Sequence, residues 1–406
     1  MNAANLISAL FGLGAPLLGA AVALFGAGFL LLHDRARNGT LYALSPLVVL
    51  TPLAALVAYG GRDHPGWAAI AAVLVAALLA REREDAFASE CALKLVWVLG
   101  GSLALSWAGL GLLTLATGTS RVSEQWAVLQ LGLDPPQLWS AALSLSLVAG
   151  IVLLGAAPFH FWAADLFQGA KAWLAPLAVA ALQVGGSGWI MGRLAGIAAC
   201  PEAARLTSYL LGVAGATAFA VGAVAVAWQK RPERRVGTLA SLQGAILLAA
   251  LAAERAGHYH RISVDDLIGL WAPHLLLALT GAGTFARFLP VSGTGAEPAA
   301  VMFRRHPLSA AFGLFALASL AGVPGTPGAR LWLDVARALA GSERMGLMLA
   351  MAGAWLASFA VAVRQAREAI GVPSRGPAPG QPVPWSARAA LWAAGAGLLA
   401  LGWAWR

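Results

Sequence analysis

The sequence predicts an all-α, polytopic integral membrane protein that forms one helical bundle. Three observations carry this. Hydrophobic residues make up 59% of the 406 positions and charged residues only 11%, where a soluble domain holds roughly 25% charged residues; mean hydropathy is +0.74. The apolar residues fall in runs of about 20, the length that crosses a hydrocarbon core. The lysines and arginines behind the net charge of +9 stand in short clusters between those runs. That is the pattern of membrane topology, not of nucleic-acid binding.

Taken in order, the runs predict twelve helices, near 5–32, 40–60, 66–80, 91–117, 139–157, 175–198, 207–228, 236–253, 264–286, 307–324, 344–364 and 385–405. The first lacks a basic leader and is long enough to span, so no cleavable signal is expected. The fifth should end at Pro158, because proline removes a backbone N–H and clashes with the preceding turn. Residues 159–168 are then expected at the inner boundary. Residues 325–341 are interrupted by Gly and Pro and then turn amphipathic. Such a half-helix belongs inside protein, since broken backbone survives at membrane depth only there.

The connections 118–138, 287–306 and 365–384 are too short for a soluble domain, and the Pro/Gly-rich last one reads as an extended linker. The whole chain, 1–406, is therefore one transmembrane domain, closed by the helix at 385–405. Gly185, Gly186, Gly188, Gly212 and Gly215, in the sixth and seventh helices, suit close helix contact and predict a face covered by a partner. With an outer N-terminus, Arg35 and Arg37, Arg81 and Arg83, the run 230–235, and Arg304 and Arg305 all fall inside. Both termini are then outside. Cys91 and Cys200 lie far apart with no CxxC spacing or His partner, and imply neither a disulfide nor a metal site.

Ionisable groups inside membrane helices are costly, so each is a functional candidate. Glu90 and Lys94 form an i,i+4 pair at the start of the fourth helix. The plain reading is an interfacial ion pair contributing a few tenths of a kcal/mol. His160 and Asp165 stand five apart. Either they relay protons near neutral pH, or His160 caps a helix break and Asp165 accepts nearby backbone N–H groups. Lys171 has the reach to snorkel to the inner surface. His274, after Pro273, is the most deeply placed titratable group; it is a bundle hydrogen-bonding residue or a relay. Arg330 could set a field, but an arginine does not readily give up its proton and is a poor relay. No catalytic group, metal or cofactor is expected, as no flavin, haem or iron–sulfur motif is present.

Residues 158–169, P-F-H-F-W-A-A-D-L-F-Q-G, resemble the signature P-F-H-F-W-x-P-D-x-Y-x-G of the antiporter-like membrane subunits of respiratory complex I, most closely subunit N. That family includes the large subunits of Mrp-type antiporters and of related hydrogenase and inorganic-carbon systems. E-C-A-L-K-L from Glu90 resembles the family's E-A-A-L-K-Y. The run 229–235 (Q-K-R-P-E-R-R) resembles its Q-K-x-x-K-R connection. Residues 302–307 (M-F-R-R-H-P) resemble Y-R-K-D-P before a helix ending L-G-L-P-P, here L-A-G-V-P-G. The resemblance covers about 85–370. It implies an antiporter-like fold with broken helices, other membrane subunits and lipid as partners, and a bacterial inner membrane.

The family's ion path needs buried ionisable residues at four places. The helix that should hold a glutamate is 67–80, which contains no acid. The lysine before the signature falls at Leu153, that of the following helix at Val184 beside Gln183, and that after the second break at Trp332, near Arg330. The resemblance therefore implies a degenerate subunit that scaffolds, seals or regulates an ion-translocating assembly. One alternative is an active proton or cation translocator rerouted through His160, Asp165, Lys171 and His274. Another is a membrane-arm subunit of an NADH–quinone oxidoreductase-type enzyme, itself without a redox centre.

Overall fold

The computed structural model describes residue 75 and residues 86–131, 136–172, 174–255, 264–289, 303, 306–342, 344–370 and 383–404. The first two expected helices, all but one residue of the third, and most of the 287–306 and 365–384 connections lie outside these. The described helices are α1 (Ala86–Thr117), α2 (Val122–Gln130), α3 (Pro136–Leu153), α4 (Phe161–Gly169), α5 (Leu174–Leu194), α6 (Pro201–Trp228), α7 (Pro232–Arg255), α8 (Val264–Ala286), α9 (Pro307–Leu320), α10 (Pro327–Gly341), α11 (Met345–Ile370) and α12 (Trp385–Ala404). Prolines open α3, α6, α7, α9 and α10, where the missing N–H would have no helical partner anyway. Among the described residues, α1, α5, α6, α7, α8, α11 and α12 are long and apolar enough to cross a membrane, and α3 and α9 are shorter apolar helices. These nine correspond to the fourth to twelfth expected helices; the first three of the expected twelve lie outside the described residues, apart from residue 75.

The bundle is built around α7, whose apolar span is wholly enclosed, with α5 nearly so. α7 packs against α4, α6, α8 and α10, while α3 lies between α1 and α5, and α8 between α9 and α12. α3 and α9 each stop short and hand over to a second helix, α4 and α10.

Both handovers have the same backbone design. Gly155 and Gly322 adopt φ +78° and +73°, a left-handed region that a side chain disfavours. Gly155 N–H donates to Val152 O (2.9 Å) and Ala156 N–H to Ile151 O (3.2 Å). Gly322 N–H donates to Ser319 O (3.1 Å) and Val323 N–H to Ala318 O (2.9 Å). This paired pattern is the Schellman termination.

It explains why α3 ends at Leu153, ahead of the expected stop at Pro158. The left-handed glycine ends the helix first, and Pro158, with a cis peptide bond to Ala157, lies within the connection. The connection 118–138 also holds an unexpected short helix, α2, anchored by the buried Trp126, whose indole donates to Ala195 O at 2.9 Å.

The glycine-rich stretches serve this chain's own packing, not an outer face. Gly185, Gly186 and Gly188 are all buried, and a Cβ on Gly186 would sit 2.7 Å from Leu153 Cβ. A Cβ on Gly212 would meet the Arg344 guanidinium at 2.6 Å, and one on Gly215 would face α7 and α11.

Candidate functional site

The candidate residues gather in two places, apart from Lys171, in the turn between α4 and α5, and Arg330, on α10. At one end of the bundle, α1, α4 and the start of α7 converge on Asp165, whose side chain is 4% exposed. Lys94 Nζ lies 3.4 Å from its Oδ2 and Arg234 Nη1 lies 2.5 Å from its Oδ1. Lys94 also reaches Glu90 at 2.5 Å, and Arg234 donates to Gln168 Oε1 at 2.9 Å. Cys91 donates to the backbone carbonyl of Asp165 (3.2 Å), and the Arg287 guanidinium donates to Ala170 O.

Asp165 therefore pairs with two cations and not with His160, which corrects both sequence readings of that residue. His160 also makes no side-chain cap on α4; its own carbonyl accepts from Ser241 Oγ at 3.2 Å. Glu90 and Lys94 are more than a local pair, since through Asp165 they tie α1 to α4.

The second place is the interior around the two breaks. Gln183, Gln243 and His274 are each 0% exposed. Gln183 Nε2 donates to Leu154 O (3.1 Å) at the first break and to Ala240 O (2.9 Å) in α7. Gln243 Nε2 donates to Leu320 O (2.7 Å) at the second break. His274 Nε2 and Ser319 Oγ share a hydrogen bond of 3.0 Å, and that hydroxyl also accepts from Gly328 N–H at 3.2 Å. These groups can hold backbone ends in place and, His274 aside, are not proton carriers at ordinary pH.

Arg330 is not in this interior. Its side chain is 44% exposed and its Nε lies 3.7 Å from Oδ2 of the buried Asp334, whose Oδ1 is 3.1 Å from Arg337 Nη1. Burial pushes the Arg344 guanidinium pKa down from its ordinary value; it donates to Ser208 O at 3.0 Å at the opposite end of α7 from Arg234. Among the described residues no group of three or more His, Cys, Asp and Glu is placed to hold a metal.

No protein-family model matches the chain. Three solved structures share its architecture. A chain of respiratory complex I from Thermus thermophilus superposes with TM-score 0.68 and 24% identity, covering 96% of this chain and 84% of that one. A chain of the Mrp complex from a Dietzia species gives TM-score 0.73 and 13% identity over 96% and 80%. One from the archaeal membrane-bound sulfane sulfur reductase gives 0.70 and 17% over 95% and 77%. The fold is that of the antiporter-like membrane subunits.

Sequence comparison agrees with the antiporter-like fold. NADH-quinone oxidoreductase subunit N from Syntrophotalea carbinolica is 29% identical over 297 residues, 68% of this chain and 58% of that protein. Subunit N 2 from Streptomyces griseus is 31% identical over 292 residues, 69% and 48%. The chain spans 38–58% of the length of the curated relatives it matches.

Within the antiporter-like fold, sequence reasoning missed Arg234, Asp334 and Gln243 and gave Gln183 no role. Asp334 was legible, standing four after Arg330 and three before Arg337 on one helix face. Gln183 and Gln243 signal themselves as lone amides in apolar runs. Arg234 sits among four basic residues, and nothing local marks it out.

Proposed function

We propose that the chain is a degenerate, subunit-N-like membrane subunit that scaffolds, seals or regulates an ion-translocating assembly and does not pump by itself. The observation that carries this is the filling of three places to which the resemblance assigns lysines. Leu153, Val184 and Trp332 stand there, 1%, 8% and 0% exposed. A proton crossing a charge-excluding medium needs titratable stations, and hydrocarbon or indole supplies none. Trp332 also stacks on Trp355 at 5.8 Å, which suits a packing role. Arg330, the nearest cation to that place, is turned to Asp334.

Likeness to parts of complex I, Mrp and sulfane sulfur reductase complexes supports other membrane subunits as partners. The sequence similarity supports a place in the membrane arm of an NADH–quinone oxidoreductase-type assembly. The basic clusters support a bacterial inner membrane with both termini outside.

One observation favours a second reading, an active translocator with a rerouted path: His274 is wholly buried beside the second break. The double variant His274→Leu with Arg330→Met separates the two. Ion flux through the whole assembly is measured in proteoliposomes at matched subunit content. A scaffold leaves flux within about twofold of wild type. A relay forced across the gap faces several kcal/mol more, and ~1.4 kcal/mol is already tenfold in rate. A tenfold or greater fall would establish the rerouted path instead.

A further inference from the structure

We infer that Gln183 and Gln243 are positioning residues that couple the two helix breaks through one turn of α7, residues 240–244. The coupling holds whether or not any ion crosses the chain.

At each break one amide contact runs to that turn, beside others that do not: Trp162 holds Val152 O at the first break, and His274 and Trp355 hold Ser319 and Gly322 at the second. At the first break, the Leu154 carbonyl lies where a Cβ on Gly244 would be 1.9 Å away, so the α3 end rests directly on α7 backbone. Gln183 holds the same carbonyl from the other side and spends its second N–H on Ala240 O. At the second break, Gln243 reaches from this turn to Leu320 O. Its backbone carbonyl accepts the Trp271 indole at 3.2 Å, which adds α8 to the same turn.

A movement of either break has little room to dissipate. α7 has no free face along its apolar span, and close-packed interiors transmit displacement instead of absorbing it. The end of α3 cannot shift toward α7 without meeting Gly244, and Gln243 stands one residue before it. Both donors are neutral amides with no titration in the ordinary pH range, so the linkage works at any protonation state of its surroundings.

Hydrogen exchange read by mass spectrometry tests this, on the chain in nanodiscs with whatever subunits accompany it. In wild type, under conditions where each opening leads to exchange, peptides spanning 151–161 and 318–328 should open at one common rate. Gln243→Met keeps bulk and removes the donor at the second break. Exchange should rise about threefold or more at both breaks, as expected for loss of one buried hydrogen bond, while α2 stays unchanged. Gln183→Met should give the reciprocal result. Opening rates that differ about tenfold or more in wild type, or variants whose effect stays at the adjacent break or spreads to α2, would overturn the coupling. The wild-type measurement stands even if a variant fails to insert.

Discussion

Asp165 divides one charge between cations from two helices, and the two are not equivalent. Arg234 lies at 2.5 Å with its side chain 24% exposed, Lys94 at 3.4 Å and 39% exposed. Breaking a buried pair by removing one partner costs about 3–5 kcal/mol. With Lys94 still in reach, Arg234→Met should cost ~2–3 kcal/mol of that. Glu90 is half in solvent, so Glu90→Gln should stay within about 1 kcal/mol. Thermal unfolding of both variants in one detergent decides this, and equal losses would refute the ranking. Adding Asp165→Asn to Arg234→Met should recover much of the loss, because the uncompensated charge leaves too. The Glu90–Lys94 half of this knot is written in four-residue spacing. The Asp165–Arg234 half is not, since it depends on α4 and α7 meeting in space.

The short helix α2 begins with a tether that acid should release. The Thr119 hydroxyl donates to Glu124 at 2.6 Å and Arg121 Nη1 at 3.0 Å. Both hold the Glu124 carboxyl below its ordinary value of 4.5. A group with a depressed folded-state pKa adds stability above its unfolded value and loses it as pH falls through the folded one. The tether is thus complete at neutral pH and is lost on acidification below about 4.5. Hydrogen exchange in 119–131, corrected for the intrinsic rate, should stay level down to about pH 4.5 and rise below it, and lose that dependence in Glu124→Gln. An unchanged pH response in the variant would remove Glu124 as the cause. α2 escaped sequence reading because nine residues with one buried face look like any polar connection. α8 was legible to both ends, as an apolar run opening on acids and closing before Arg287. The end of α3 was misplaced because Pro158 is a louder signal than Gly155, although the glycine acts first.

For the molecule as a whole, the basic clusters make a statement about sidedness that two thiols can check. α6 runs from Pro201 to Trp228, about 42 Å at ~1.5 Å per residue, so Arg205 and Lys230 mark opposite surfaces. Native Cys91 and Cys200 are both buried and should stay silent toward an impermeant maleimide. Lys230→Cys should then label only in inverted vesicles and Arg205→Cys only in right-side-out ones; the reverse result would invert the proposed topology. The enclosure of α7 also bears on how the chain is made. A helix entering the bilayer alone meets lipid on every side, yet in the finished bundle the span of α7 meets none. Its last covering helix, α11, ends at Ile370, 115 residues after Arg255 closes α7. At ~5–20 residues per second, synthesis leaves α7 for about 6–23 s in a solvent it will never see again. For the first part of that interval, until Leu320 has been made, the amide of Gln243 has no second break to hold.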